Sequence, residues 1–304
     1  MKIDPECVPC LLKRIVFQSR LVEGQDGAAP LQAALKVVAE RYDGKVNSAL
    51  LATKVHAEAY RALGVRDPYH ELKVRSDEVA TSLVPELNRY LDEADDRLEA
   101  AVLGSIVGNV MDFGPEIAIQ HPDELFDVFH NLMDQGLDVN DVPRMKEKLL
   151  RSRKVLYLMD NCGEAVFDIP LVQEIQKLGV EVVGVAKGEP ILTDVTREDA
   201  RRSGIDKVFD RMVDTGQFAI GLDLDRLGDE MEKEMQEYDL IIAKGMANFE
   251  SLSDTDVGPI VYLLRAKCRP VAHYLGVVKD QNVAVYRERA DGRGDPHRPQ
   301  PVTK

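Results

Sequence analysis

The 304-residue chain has no apolar run that approaches the roughly 20 residues a membrane-spanning helix requires. Its first residues, Met1–Glu6, contain no apolar core of the kind that a signal peptide carries. We therefore expect a cytoplasmic protein that has no membrane partner.

Basic residues are fewer than acidic residues in this chain. The chain has 39 Lys and Arg residues against 53 Asp and Glu residues, which gives a formal net charge of −14. The basic residues do not cluster strongly, so the surface should repel nucleic acid and anionic lipid. We expect no nucleic-acid partner. A site for phosphate in such a chain would need a metal ion or a buried lysine to neutralise its ligand.

Three familiar motifs are missing. No Gly-x-Gly-x-x-Gly follows a predicted strand, and the Gly-Lys-Ser/Thr ending of a P-loop does not occur. The Gly-x-Ser-x-Gly motif of hydrolases with a nucleophile elbow is also missing. The sequence therefore gives no support for a dinucleotide enzyme, a P-loop enzyme or a serine hydrolase of that type.

Cysteine occurs four times, and only Cys7 and Cys10 are close in sequence. A reducing compartment disfavours a structural disulfide. The pair lies at a predicted helix start, where a helix dipole can favour thiolates, and one Cys-x-x-Cys is half of a zinc site. His56 or His70 could complete such a site. Three interpretations stay open: a redox pair, a second metal site, or buried thiols with neither role.

The first 150 residues carry apolar side chains at helical spacing, which predicts an all-α N-terminal domain. A break at Pro85 is expected within the longest segment. The predicted helices span 10–22, 31–42, 46–63, 76–99, 100–111, 122–135 and 143–151.

From residue 151 the pattern changes to alternating strands and helices, which predicts an α/β domain over 151–289 with a mostly parallel sheet and helices on both faces. The polar tail, 290–304, contains Gly and Pro and is predicted to be disordered. The predicted strands are 155–159, 180–186, 207–209, 240–243, 270–275 and 282–286, and the predicted helices end near 178 or span 196–203, 224–238 and 257–266.

Acidic and amide side chains follow the first two predicted strands of this domain. Asp160 and Asn161 come directly after the first strand, and Asp194 follows the second. Ligands of open parallel sheets bind beyond the carboxyl ends of the strands, and oxygen ligands suit Mg²⁺ or Mn²⁺. The alternative is that these residues only cap the helices that follow.

Lys244 directly follows the buried strand 240–243. A lysine in this position is costly unless an anion lies beside it. The small residues Gly245 and Ala247 would let backbone N–H groups approach an oxyanion. We therefore predict a phosphate contact, and the alternative is a lysine whose amine reaches the solvent.

Asn109 and Asp112 lie about one helical turn apart within and just past an apolar helix. Polar groups in such surroundings must find partners. They could belong to a ligand site, or they could form an internal hydrogen bond or the end of the helix near Gly114.

Taken together, these segments resemble the damage-control phosphatase family, formerly the domain of unknown function 89. The N-terminal Cys-x-x-Cys resembles the microbial branch of that family, so the resemblance covers nearly the whole chain before the tail. The motifs that carry it are Gly108-Asn109-x-x-Asp112, Asp160-Asn161-x-Gly163-Glu164, Pro190-Ile191-x-x-Asp194, Lys244-Gly245-x-Ala247-Asn248-x-Glu250 and Asp67-Pro68-Tyr69 with Lys73.

The resemblance implies a Rossmann-like α/β domain behind a helical one. It also implies a phosphatase that uses Mn²⁺, Co²⁺, Ni²⁺ or Mg²⁺ and acts on small phosphorylated metabolites, often sugar phosphates. By resemblance, Asp160, Asn161 and Asp194 would hold the metal and, with Lys244, carry catalysis. The implied phosphate-binding and substrate-binding residues are Asn109, Asp112, Glu164, Lys244, Gly245, Ala247, Asn248 and Glu250.

Two other functions remain as hypotheses. An S-adenosylmethionine-dependent methyltransferase would share the fold class, but it usually has a glycine-rich loop after the first strand, where this chain has only Gly163. A non-enzymatic metal or metabolite binder could use Cys7 and Cys10. The sequence leaves the oligomeric state open.

Overall fold

The computed structural model describes residues 1–111 and 122–288. The first part of the chain is mostly helical, as predicted, although it also supplies a short strand. Its elements are α1 (Cys7–Arg20), α2 (Ala28–Arg41), α3 (Ser48–Leu63), α4 (His70–Glu93), α5 (Arg97–Val107), a 3-10 helix (Gly108–Met111), α6 (Pro122–Asp134), β1 (Val139–Asn140) and α7 (Val142–Leu149).

The second part alternates strands and helices. Two 3-10 helices, Ile205–Lys207 and Leu224–Arg226, flank β4 in sequence. The main elements are β2 (Lys154–Leu158), α8 (Glu164–Lys177), β3 (Glu181–Ala186), α9 (Arg197–Ser203), β4 (Arg211–Asp214), α10 (Asp229–Glu234), β5 (Leu240–Lys244), α11 (Gly245–Leu252), β6 (Ile260–Arg265), α12 (Arg269–Leu275) and β7 (Asn282–Arg287).

The described strands form one sheet in the order β1-β7-β6-β5-β2-β3-β4. Neighbouring strands are parallel except for β6 and β7, which are antiparallel. The predicted α/β class with a mostly parallel sheet is therefore confirmed. After β2 the chain adds β3 and β4 on one side of it. It then crosses over and adds β5 and β6 on the other side, so the strand order reverses between β2 and β5. Ligands of such sheets bind in the crevice at this point.

The central strands are buried on both faces, which is why they are nearly continuous apolar runs. Alternate residues point to opposite sides of the sheet. Tyr157 and Ile242 belong to a core that is shared with α4, α5, α7 and α8. Leu156 and Ile241 belong to a second core shared with α10, α11 and α12. Helices therefore cover both faces, as predicted.

Much of the helical part shares its core with the α/β part. Helices α4 to α7 pack on one face of the sheet, and β1 pairs with β7 at its edge. Helices α1, α2 and α3 form a smaller cluster of their own, and α3 also contacts Ile191 and Ile220 of the α/β part. The predicted boundary at residue 150 thus lies within a continuous core.

Two predicted elements of the α/β part are wrong in type. Residues 257–266 were expected to form a helix, but Ile260–Arg265 is the buried strand β6. A short apolar run fits a buried strand and a buried helix equally well by its pattern. Residues 270–275 were expected to form a strand, but Arg269–Leu275 is α12, with Pro270 in its first turn, where a missing N–H costs nothing.

Other predicted elements are displaced or shortened. The strand expected at 207–209 begins at Arg211, after a 3-10 helix, and the helix expected over 224–238 is reduced to a 3-10 helix and α10. Pro85 does not break α4, because Leu83 and Leu87 are fully buried and hold the helix on either side.

The predicted tail, 290–304, lies outside the described residues. Among the helices that the structure describes, none is long and apolar enough to cross a membrane.

We predict that Leu156→Ala lowers the free energy of unfolding by about 2–5 kcal/mol, because Leu156 is fully buried in β2 and its loss leaves a cavity. Leu150→Ala is the matched control, since 63% of Leu150 is exposed, and should change it by less than about 0.5 kcal/mol. Urea titration of both variants measures the difference. Equal losses would contradict this account of the core.

Candidate functional site

The loops that follow β2 and β3 lie against each other at the carboxyl edge of the sheet. Asn161 and Asp194 form an isolated antiparallel bridge, and the Val195 N–H donates to the carbonyl oxygen of Asp160 at 2.9 Å. The Thr193 hydroxyl donates to Asn161 Oδ1 at 2.7 Å. The structure therefore brings together the three side chains that we predicted as metal ligands, Asp160, Asn161 and Asp194.

Side-chain amides surround the Asp160 carboxyl group. Asn109 Nδ2 and Asn161 Nδ2 donate to Asp160 Oδ2 at 2.9 and 2.8 Å. The same two amides also donate to Glu164 Oε2. Asn109 and Glu164 thus lie at the site, as predicted. Asp112, the other residue predicted beside Asn109, lies outside the described residues.

Negative charge is crowded at this position. Burial raises the pKa of Asp160 well above its usual range, and the nearby carboxyl groups of Glu164 and Asp194 raise it further. The positive charge of Lys187 acts in the opposite direction on the pKa of Asp160. Its Nζ also lies 3.4 Å from Asp194 Oδ2. A divalent cation at this position would relieve the repulsion between the carboxylates.

The donor set fits a hard divalent cation. Asp160 and Asp194 offer carboxylate oxygens, and Asn161 offers an amide oxygen that has a second lone pair beyond its bond to Thr193. In residues 1–111 and 122–288, no three His, Cys, Asp or Glu side chains are placed to hold a metal by themselves. The amide would therefore be needed, and water or substrate would fill the remaining positions.

Lys244 lies behind the site and does not line it. Its buried amine donates to Ser105 O at 3.0 Å, to Glu164 Oε1 at 2.7 Å and to Asp168 Oδ1 at 2.6 Å. Burial would lower the pKa of Lys244, but Asp168 and Glu164 outweigh this and raise it. An ammonium group has three donors, and all three are used.

The predicted contact between Lys244 and phosphate therefore needs correction. The anions that neutralise this lysine are protein carboxylates, and its position fixes Glu164 instead of facing the cleft. Asp168, which the sequence analysis did not single out, follows Glu164 by four residues on α8, so the two share a helix face. That four-residue spacing is the feature of the sequence that could have identified Asp168.

Gly245 lies directly against the site. A Cβ atom on Gly245 would lie 1.8 Å from Asp160 Oδ2, and the residue has φ of +72°. Asn248 Nδ2 donates to Met159 O at 3.2 Å and to Lys244 O at 2.8 Å, so it ties the end of β2 to the start of α11. Of the residues predicted here, Gly245 therefore shapes the site and Asn248 has a structural contact.

A cleft of about 520 Å³ opens at this edge of the sheet. Its size suits a small-molecule ligand. The side chains of Ala247 and Glu250, both predicted site residues, contribute to its wall. The cleft wall also includes Asn109, Asp160, Asn161, Asp194, Leu11, Ile220, Met246, Lys267 and Lys279.

Lys267 is a cation at the site that the sequence analysis missed. Its Nζ donates to the carbonyl oxygen of Asn109, and its charge acts to lower the pKa of Asp160. Lys267 follows β6, the strand that was predicted as a helix. Had β6 been recognised, a lysine just beyond its carboxyl end would have been a candidate by the same rule that identified Asp160.

Cys7 and Cys10 line the same cleft, together with Cys268. Burial raises the pKa of Cys7 to about 11 and that of Cys268 to about 12, so both are neutral thiols at pH 7. His56 is bound through Nδ1 to Gln18 Oε1 at 2.9 Å. Cys7 and Cys268 are thus partly buried, whereas Cys10 is exposed, and the redox and second-metal roles remain untested predictions.

The sheet and its strand-end acids define a Rossmann-like α/β protein with an acidic ligand site where the strand order reverses. The family model of the damage-control phosphatase ARMT1-like domain matches residues 3–283. The chain therefore belongs to the damage-control phosphatase family, and the resemblance seen in its motifs is confirmed.

Two named damage-control phosphatases match over nearly their whole length. A damage-control phosphatase of Archaeoglobus fulgidus is 42% identical over 279 residues, which cover 91% of this chain and 96% of the relative. The damage-control phosphatase PH1575 of Pyrococcus horikoshii is 33% identical over 92% of this chain and 96% of its own. A crystal structure of a DUF89 family protein from the same organism has a TM-score of 0.84 at 30% identity, covering 94% of this chain and 99% of that one.

We predict that Gly245→Ala lowers the free energy of unfolding more than Gly276→Ala does. Both glycines have φ of +72°, so each alanine carries about 1–2 kcal/mol of left-handed backbone strain. Only at Gly245 does the added methyl group also collide with Asp160, since the Gly276 position has no atom within 4 Å. Urea titration measures both losses. Equal losses would show that Gly245 and Asp160 are not in close contact.

Proposed function

We propose that this protein is a metal-dependent phosphatase that hydrolyses phosphate monoesters of small metabolites, sugar phosphates among them. The observation that carries the proposal is the meeting of Asp160, Asn161 and Asp194 at the carboxyl ends of β2 and β3. Membership of the damage-control phosphatase family supports it over the methyltransferase and binding-protein hypotheses. The expected ions are Mn²⁺, Co²⁺, Ni²⁺ and Mg²⁺.

The protein's own residues would hold and orient the reacting groups. Asp160, Asn161 and Asp194 would bind the metal ion, which would supply Lewis-acid stabilisation of the phosphoryl oxygens. Asn109 and Glu164 keep the Asp160 side chain in place through the shared amide hydrogen bonds. Because both groups are buried, this geometry is set before substrate arrives, which reduces the reorganisation that the reaction requires.

A second cation is needed for a phosphate dianion. The charges of two carboxylates cancel that of a divalent ion, so the metal site alone would be neutral. Lys244 is held by Glu164 and Asp168, and Lys187 pairs with Asp194. Lys267 both lines the cleft and acts on the charge of Asp160. Lys267 would therefore stabilise the negative charge of the phosphoryl group in the transition state.

The remainder of the cleft would accommodate the organic part of the ester. Leu11, Ile220 and Met246 form apolar parts of its wall. A cleft of about 520 Å³ is large enough for a phosphorylated metabolite. This supports a small phosphorylated metabolite as the substrate.

We predict that Asp160→Asn lowers kcat/KM at least about 100-fold, since it removes a charged metal ligand while preserving shape. Release of inorganic phosphate from sugar phosphates and p-nitrophenyl phosphate, with each of the four metals, measures the activity. Asp92→Asn is the control, because Asp92 is exposed and pairs with the surface residue Arg97. A wild-type protein that is inactive on this panel with every metal would overturn the proposal.

We also predict that Lys267→Met lowers kcat/KM by about 100-fold, because it removes the charge beside the phosphoryl group. Lys279→Met is the matched control. Lys279 lines the same cleft, but it is exposed and is not among the main charges acting on Asp160. It should change activity by less than about threefold. Similar losses in the two variants would assign the effect to the overall charge of the cleft.

A further inference from the structure

A chain of buried and partly buried ion pairs joins α4 to α9 behind the candidate metal site. We propose that Lys73, Asp77, Asp199 and Arg202 form an ionic clamp that holds the two metal-binding loops at a set separation and thereby determines the affinity for the metal ion. The inference rests on the proposed function, and these four are positioning residues that do not touch the metal or substrate.

The first half of the clamp is centred on Lys73, which is fully buried in α4. Its Nζ lies 3.1 Å from Asp67 Oδ2 and 3.2 Å from Asp199 Oδ2. Burial would lower the pKa of Lys73, but Asp199 and Asp67 outweigh this and keep the amine charged. A buried ammonium group requires such partners, so Lys73 holds α9 against α4.

The second half is centred on Arg202, which bridges two carboxylates with its two terminal nitrogens. Nη1 lies 2.6 Å from Asp199 Oδ1, and Nη2 lies 2.9 Å from Asp77 Oδ2. The guanidinium group is planar and rigid, so it sets the distance between these carboxylates more strictly than a flexible amine would. Asp199 and Asp77 are the two ends from which the clamp reaches the site.

One end of the clamp holds the loop after β2. Asp77 Oδ1 accepts a hydrogen bond of 2.7 Å from the N–H of Gly163, two residues after Asn161. Gly163 has φ of 79° and ψ of −59°, close to the rare γ-turn at about +75° and −65°. Glycine adopts this conformation as readily as its mirror image, so the loop depends on a partner outside it for the restraint that fixes it there. Asp77 supplies that restraint, so its loss should let the ligand loop relax.

The other end holds the loop after β3. Asp199 Oδ2 accepts hydrogen bonds from the Thr196 N–H at 3.1 Å and from the Thr196 hydroxyl at 2.7 Å. Thr196 caps α9 and follows Asp194 by two residues. The same carboxylate therefore anchors the second ligand loop and the ion pair with Lys73.

The two loops are in direct contact, and the clamp also fixes the distance between the points where they leave the site. The Val195 N–H to Asp160 O bond joins their inner ends, whereas Gly163 and Thr196 are the points where each loop leaves the site. Metal ligands must be placed to within tenths of an ångström, and residues behind the ligands typically change metal affinity by about 10–100-fold. We therefore expect an effect of this size from the clamp.

The experiment measures Mn²⁺ binding directly, by electron paramagnetic resonance of free Mn²⁺, together with kcat at saturating Mn²⁺. We expect Asp77→Ala to raise the Kd for Mn²⁺ about 10–100-fold. Asp77→Asn should give an intermediate value, because it keeps an acceptor for Gly163 but loses the charge facing Arg202. Saturating Mn²⁺ should restore kcat in both, since the ligands themselves are intact.

The control is Glu234→Gln, which breaks the ion pairs of Glu234 with Lys154 and Arg211 at the opposite, amino-terminal edge of the sheet. This variant should lower the melting temperature but leave the Kd for Mn²⁺ within about twofold of wild type. An unchanged Kd in a folded Asp77→Asn or Asp77→Ala protein would overturn the inference, as would an equal rise in Glu234→Gln. If wild type binds none of Mn²⁺, Co²⁺, Ni²⁺ and Mg²⁺ in calorimetric titrations, the proposed function itself fails and the clamp loses its role.

Discussion

The burial of carboxyl groups at the carboxyl ends of β2 and β3 is the constraint on which the rest of the site depends. A buried carboxylate is costly unless cations or hydrogen-bond donors face it. Asp160 receives two amide donors, Asp194 lies beside Lys187, and Glu164 is bound by Lys244. These partners come from separate segments of the chain, so the site can exist only after the central strands have assembled.

The hydrogen bonds and cations around Asp160 do not fully offset the cost of burying its carboxylate beside two others. This gives the proposed metal ion a physical reason to bind. Lys187 and Lys267 reduce the repulsion from Glu164 and Asp194, yet the pKa of Asp160 stays well above its usual range. A divalent cation would remove this remaining repulsion and favour the ionised carboxylate. Since the unfolded chain does not hold these ligands together, metal binding would also stabilise the folded state.

The helical part of the chain contributes residues to the candidate site. Asn109 lies in the 3-10 helix that follows α5, and α1 and α3 form part of the cleft wall. Helix α4 supplies Lys73, which pairs with Asp199 of α9, and Asp77, which binds the loop after β2 directly. This arrangement agrees with the continuous core that joins the helical part to the sheet. It also explains why the family model extends over both parts.

The sequence by itself determined the α/β class and the positions of Asp160, Asn161 and Asp194, because apolar runs followed at once by polar residues are local signals of strand ends. It could not separate strand from helix for β6, whose short apolar run fits both, and Lys267 was therefore missed. It could require an anion beside Lys244, since any buried lysine needs one. Only the tertiary structure decided that this anion is Glu164 together with Asp168, because the partner of a buried charge is chosen by long-range packing.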